Sequence, residues 1–393
     1  MLSQKVVTNV SKGSMIRAMF EEGAKLKKIH GADKVYDFSI GNPDVEPPKE
    51  VIEAFKKYIQ EPDIHKYMSN AGFDDVRARI AGKIQEETGI SIGHNNIVMT
   101  CGAAGGLNVV FKTILNPDEE VIVFAPFFVE YLTYIDNFGG KPVVVQSDTN
   151  NFEPKAEELK KFITPKTKAI IINSPNNPTG VIYKEETLKE IAKVLEEKEQ
   201  EYNTTIFVLS DEPYNKLVYD VVKLPSVLKI FKNAIIINSY SKSLALPGER
   251  IGYIAANPAI QDIEMLMNGL IYCNRVLGFV NAPSLIQKVV ASSVDAVVDP
   301  DIYKQRRDLL YNHLTKLGFS CVKPEGAFYL FPKSPIPDDV EFKNIALKYN
   351  ILLVPGSGFG GPGYFRLAYC VSLKTIENSL PAWEALAKEM KLI

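Results

Sequence analysis

Histidine and cysteine are scarce in this chain, four of each among 393 residues. The cysteines, Cys101, Cys273, Cys321 and Cys370, lie far apart and form no CxxC pair. Neither a zinc site nor a disulfide framework is therefore expected. The histidines, at 30, 65, 94 and 313, are not spaced as metal ligands would be. That argues against a zinc protease or a His-based hydrolase and sets an expectation of no metal. Charge of one sign is also lacking: a net charge of −2 makes no field to draw nucleic acid or an anionic membrane. Long apolar runs are missing, and stretches such as 169–172 and 234–237 are far too short to span a bilayer. The first residues lack the apolar run of a signal peptide. A reducing, cytoplasmic setting is the expectation.

What is present is ordinary globular composition, 46% apolar and 23% charged, which supports a folded core. The length is too great for one ordinary core and points to a large unit with a smaller one. From about residue 95 to 256, β-branched runs alternate with helical stretches. Seven strands are expected near 97–100, 121–125, 142–146, 169–173, 206–210, 234–238 and 251–256. Most are apolar throughout, as a sheet covered on both faces requires. Helices are expected at 104–115, 155–163 and 184–199, which with the strands predicts a mainly parallel sheet. After about residue 282 the pattern changes to two helices (282–297, 300–317), short strands near 327–331, 352–354 and 364–370, and a closing helix over 373–391. A helix near 14–29 and a strand near 35–40 are too little to fold alone. The fold class is α/β: a large domain, 47–281, with a mainly parallel seven-stranded sheet covered by helices, and a smaller α+β domain built from 1–46 and 282–393.

The segment NSYSKSLALPGERIGY (238–253) follows an apolar strand. It puts Lys242 where ligands bind in open α/β sheets, at a strand's carboxyl end. A lysine desolvated there becomes a nucleophile toward a carbonyl. Ser239, Ser241 and Arg250 are suitable phosphate ligands. Taken alone, SxSK is a common tetrapeptide and reads first as a solvated surface loop. SDEPYNKLVY (210–219) places Asp211 at another strand's end, where a carboxylate can keep a pyridinium nitrogen protonated or simply cap a helix. NSPNNPTG (173–180) is rich in turn residues, and its Asn177 could donate to a phenolate oxygen. TCGAAGGLNVVF (100–111) offers amides at a helix N-terminus, suited to phosphate, without the GK[ST] of a nucleotide-binding loop or a GxGxxG. The glycine run GSGFGGPG (356–363) reads at least as well as a plain loop. YFRLAYC (364–370) sets Arg366 in an apolar strand, where it needs an anion, either a substrate carboxylate or a structural partner.

These elements, in this order, resemble the fold-type I pyridoxal 5′-phosphate (PLP) enzymes, specifically the class I and II aminotransferases. The likeness runs from IGNPD (40–44) to FRLAY (365–369). It implies that Lys242 carries the cofactor as an imine and later shuttles the substrate proton. Asp211 would partner the ring nitrogen, and Asn177 and Tyr214 the ring hydroxyl. Phe128 would stack on the ring. Ala103, Ala104, Ser239, Ser241 and Arg250 would hold the phosphate. Tyr67, in HKYMSNAG (65–72), would reach the phosphate of a neighbouring subunit, which implies a homodimer with shared sites. Arg366 would grip the substrate α-carboxylate and Gly41 would leave room beside it. The implied reaction is ping-pong amino transfer between an L-amino acid and a 2-oxo acid.

The resemblance leaves the substrate side chain open. The lysine that some aspartate-using relatives carry at the place of Ala104 is absent. Arg275 or Arg17 could read a second carboxylate, or each could be a surface ion pair. Aspartate and glutamate are thus candidate donors. The same scaffold also serves C–S lyases, racemases and decarboxylases. PLP-sensing regulators use it too, but they add a basic DNA-binding module that is not found here.

Overall fold

A computed structural model describes residues 2–12 and 15–393, with the side chains of residues 11, 12, 15–18 and 20 left out of the description. Among the described residues there are twelve strands, in chain order: β1 (Tyr36–Asp37), β2 (Ile97–Thr100), β3 (Glu120–Ala125), β4 (Lys141–Gln146), β5 (Thr167–Asn173), β6 (Phe207–Asp211), β7 (Ala234–Ser239), β8 (Gly252–Ala256), β9 (Tyr329–Leu330), β10 (Ile351–Leu352), β11 (Val354–Pro355) and β12 (Phe365–Ala368). Seven of them form one sheet in the order β2-β8-β7-β6-β5-β3-β4. Every pairing is parallel except those of β8, which runs antiparallel to both β2 and β7. The chain between Ser239 and Gly252 holds only two short helical turns, too little for a covering helix, so the strand returns in the opposite sense.

The absence of polar alternation in these strands has a direct cause. Along β2, β3, β5 and β6, successive side chains point to opposite faces, and both faces are buried. Met99, Ile122, Ile170, Val208 and Ile236 belong to one apolar cluster. Val98, Val123, Ile171, Leu209 and Ile237 belong to another on the reverse face. The outer strand β4 is largely exposed, with only Val145 buried.

The remaining strands make a two-stranded parallel pair, β1 with β10, and a three-stranded antiparallel sheet, β11-β12-β9. Their core is aromatic, with Phe365 stacked on Trp383 at 6.3 Å and Phe319 edge-on to both. The helix Pro300–Lys316 starts where Asp299 accepts from the Asp301 amide and Pro300 presets the first turn. The preceding helix ends at Ser292, shorter than the expected 282–297. Its Ile286, Val289 and Val290 pack in the same cluster as the sheet.

Candidate active site

Three strands of the large sheet end on the residues singled out from the sequence. β5 ends at Asn173, β6 at Asp211 and β7 at Ser239. The short helix Tyr240–Ser243 continues from β7 and carries Ser241 and Lys242. Above these ends lies a cavity of about 300 Å³. Gly41, Ala103, Ala104, Phe128, Asn177, Asp211, Tyr214, Ser239, Ser241, Lys242, Arg250 and Arg366 all line it. The wall also includes Leu107, Asn173, Pro213, Pro247 and Tyr329. A wider surface groove of about 700 Å³ is lined by Lys155, Lys160, Glu190, Lys193 and their neighbours, and holds none of the motif residues.

One end of the cavity is built for an anion. The helix Gly102–Ile114 begins just past β2, and its first amides have no acceptor within the helix. Gly102 takes a φ of +72°, and a Cβ on it would lie 2.9 Å from Arg250 Nη2. The Arg250 guanidinium therefore sits against that helix start, with Nη1 donating to the Pro247 carbonyl at 2.9 Å. Amide dipoles and a guanidinium converge there, and Ser239 and Ser241 line the same cavity.

The middle holds the amine and the carboxylate. Lys242 Nζ donates to the Gly41 carbonyl at 2.7 Å and lies 5.5 Å from the centre of the Phe328 ring. Burial lowers its pKa to about 8; Cys370 opposes the shift, while the positive charges of Arg366 and Arg250 add to it. Asp211 is 5% exposed, and its Oδ2 accepts from the Tyr131 hydroxyl. Its Oδ1 is buried with no partner. Burial raises its pKa to about 6, against the Tyr131 hydrogen bond that lowers it. Asn173 holds the Asp211 carbonyl from its side-chain amide at 2.9 Å, and its Oδ1 accepts from the Asn177 amide at 2.8 Å.

The far end is Arg366, on β12 and 2% exposed. Nη1 donates to Asn177 Oδ1 at 3.1 Å and Nη2 to the Ser39 carbonyl at 2.6 Å. Nε is buried without a partner. Its guanidinium lies 4.7 Å from the ring centres of both Tyr329 and Phe359. Burial lowers its pKa, while nearby Tyr329, Tyr214 and Cys370 act the other way. Gly41 faces this end, and a Cβ there would fall 2.1 Å from the Tyr329 hydroxyl.

Two expected residues fall outside the cavity. Tyr67 is 91% exposed, and Arg275 is exposed beside Tyr272 at 5.6 Å. The side chain of Arg17 lies outside the described residues. Sequence reasoning gave no role to Tyr131, which holds Asp211, or to Tyr329, which joins Gly41, Tyr214 and Arg366. Tyr131 was findable only as the aromatic three residues beyond Phe128. Tyr329 lies in GAFYLF (326–331), an apolar run that reads as plain strand core. Among the described residues no cluster of three or more potential metal ligands occurs, and no helix is long and apolar enough to cross a membrane.

A mainly parallel sheet with an amine, a carboxylate and an arginine converging at its carboxyl edge places these groups where open α/β sheets bind their ligands. The model of the aminotransferase class I and II family matches residues 33–382, and the chain belongs to that family. It is a PLP-dependent transaminase. A probable aspartate aminotransferase of Methanocaldococcus jannaschii is 36% identical over 352 residues, covering 88% of this chain and 91% of that one. The aspartate aminotransferase of Bacillus subtilis is 35% identical over 377 residues, covering 91% and 92%. Among solved structures, an amino transferase of Eubacterium rectale is similar with a TM-score of 0.96 at 39% identity, covering 99% of each chain. The aspartate aminotransferase of Thermus thermophilus with maleate gives 0.88 at 28%, covering 98% and 99%.

Proposed function

We propose that this transaminase holds PLP and its substrates in the cavity around Lys242, with aspartate or glutamate as amino donor. The observation that carries the reading is a pair of buried polar atoms left without partners, Asp211 Oδ1 and Arg366 Nε. Each such atom costs about 1–3 kcal/mol while unpaired. A protonated ring nitrogen would satisfy the first, and a substrate carboxylate the second. No carboxylate pairs with Arg366 among the described residues, so its charge is free for an anionic ligand.

When bound, PLP supplies the electron sink that stabilises negative charge at the substrate Cα. The chain's residues do the rest. The helix start at Ala103 and Ala104, with Ser239, Ser241 and Arg250, would hold the phosphate. Phe128 would cover one face of the ring, and Asn177 and Tyr214 would donate to its hydroxyl. Arg366 would fix the substrate carboxylate and so set the direction of the Cα–H bond. Lys242, once released, would be the base that takes the proton from Cα and returns it two atoms further along, across the nitrogen. Its lowered pKa means more neutral amine near physiological pH than an exposed lysine has. Apolar Leu107, Phe128 and the Tyr329 ring limit water at the reacting atoms.

The aspartate reading is supported by the names of the relatives above. Besides Lys242, the cations lining the cavity among the described residues are Arg250 and Arg366. A second carboxylate would need a cation from outside this set, Arg17 or the Arg275 of a second copy. A homodimer supplies the latter, gives exposed Tyr67 a site to reach, and suits a cytoplasmic enzyme. We assign residues 47–281 to a large domain and 1–46 with 282–393 to a small one. The packing of Ile286 and Val289 on the sheet cluster favours counting the helix Ser284–Ser292 with the larger unit.

Absorbance of the purified protein with added PLP tests the reading. A cofactor band, with the cofactor's mass fixed on the Lys242 peptide by borohydride, is expected. Amino acid alone should then yield stoichiometric pyridoxamine phosphate. A protein that stays colourless with PLP would sink the cofactor assignment. Ammonia and pyruvate without pyridoxamine phosphate would point to the lyase reading instead.

A further inference from the structure

The hydroxyl of Tyr329 faces Tyr214 and Gly41, and its ring faces Arg366. Its hydroxyl is 2.9 Å from the Tyr214 hydroxyl. It presses on Gly41, whose carbonyl holds Lys242. Its ring lies under Arg366. Aromatic neighbours hold it in place, with Phe328 at 5.0 Å and Tyr214 at 5.7 Å, both near edge-on. Tyr214 is 4% exposed and Tyr329 2%, so neither hydroxyl has bulk water to rely on.

Two phenols joined by one hydrogen bond have two protons, and only one lies between them. Which phenol donates decides where the other proton points. Arg366 is a donor only, so it cannot accept the Tyr329 proton. Its positive charge also favours electron density on the Tyr329 oxygen, making Tyr329 the more acidic phenol and the better donor. Burial raises both phenols, Tyr329 to about 12, and Arg366 opposes the rise in both.

We infer that Tyr329 is a positioning residue that acts through Tyr214: it donates to the Tyr214 oxygen and so leaves the Tyr214 proton directed into the cavity, toward the hydroxyl of the cofactor ring. The inference rests on the assignment of Tyr214 to that ring hydroxyl. A phenol that accepts a hydrogen bond becomes a less basic oxygen and a stronger donor in turn. Tyr329 thereby strengthens the bond that Tyr214 makes and stabilises negative charge on the ring oxygen. It touches no reacting atom itself.

The test is the pH midpoint of the colour change of the cofactor-loaded enzyme, followed by absorbance for the wild type, Tyr329→Phe, Tyr214→Phe and the double variant. Losing one net hydrogen bond in Tyr329→Phe should raise the midpoint by about half a pH unit to one pH unit. Tyr214→Phe should raise it further, and Tyr329→Phe should then add nothing. Replacing Tyr329 with 3-fluorotyrosine, a stronger donor of almost the same size, should lower the midpoint. This arm does not depend on the fold tolerating a lost hydroxyl. A shift on Tyr214→Phe with none on either Tyr329 change would overturn this inference alone. So would equal shifts from Tyr329→Phe in both backgrounds. No shift on Tyr214→Phe would overturn the Tyr214 assignment and this inference with it.

Discussion

Replacing Asp211 by Asn should make the cofactor-free protein more stable and the working enzyme worse. The carboxyl is buried, and one oxygen, Oδ1, has no partner. Burial raises its pKa from 3.8 to about 6. Since the folded value exceeds the unfolded one, the native state holds the proton more tightly between those two pH values. Stability from this group is fully present below the unfolded value and is lost as pH rises through the folded one. At 1.36 kcal/mol per unit, the loss amounts to about 3 kcal/mol by pH 8. Asn keeps the shape and titrates nowhere, so it escapes that loss. Urea unfolding of the cofactor-free proteins should show the variant ahead by a few kcal/mol at pH 8 and by less at pH 5. In the loaded protein that lead should shrink by the PLP binding that the variant loses. A charge-assisted hydrogen bond to the ring nitrogen is worth about 1.5–3 kcal/mol, so the variant should bind PLP about ten- to a hundredfold more weakly. Its single-turnover rate should fall as well. A variant that gains no stability at pH 8, or binds PLP as tightly as wild type, would refute the reasoning.

Gly41→Ala should force Tyr329 to move, because the new Cβ would lie 2.1 Å from its hydroxyl and 2.9 Å from Cζ. Overpacking of this kind costs about 1–3 kcal/mol, visible as a lower Tm, and KM for the amino acid should rise with it. Arg366→Lys keeps the charge but loses the planar fork, so kcat/KM should fall by about tenfold or more while the PLP band persists. Lys242→Ala should still take up PLP but show no borohydride incorporation and no turnover. In the cofactor-free enzyme, the reactivity of Lys242 toward an amine-directed reagent should rise through pH 8, where burial sets its pKa, and not above pH 10. Peptide mass mapping against exposed lysines checks this.

The large sheet was legible because two-sided burial leaves strands as unbroken β-branched runs, and AIIIN at β7 is of this kind. The site was legible where chemistry sits at a strand's end, as with Asp211 and Lys242. Direction was harder, since nothing in the composition of IGYIAA marks β8 as reversed; only the short link from β7 does. The helices Lys49–Tyr58 and Asp74–Thr88 were missed because few of their residues are buried: Val51 and Ala54 in the first, five positions in the second. Tyr329 was invisible for a different reason. It lies on a strand of two residues, and an aromatic in an apolar run looks the same whether it fills a core or lines a cavity. Tyr131 likewise sits inside a helix, and its hydroxyl meets Asp211, which lies 80 positions further along the chain.

The reversed strand β8 also sets a timetable for synthesis. Its partner β2 is the outer strand on that side, and Ile97 pairs with Ala255. At roughly 5–20 residues per second, a ribosome needs on the order of 8–30 s to make the chain between them. Through that interval β2 has no sheet neighbour, and β7 emerges with one open edge. The parallel block from β3 to β7 can assemble in the meantime, with Asp211 already at its rim. Tyr329 and Arg366 are translated later still. The rim that carries Asp211 and Lys242 is thus encoded ahead of Tyr329 and Arg366 at the other end of the cavity.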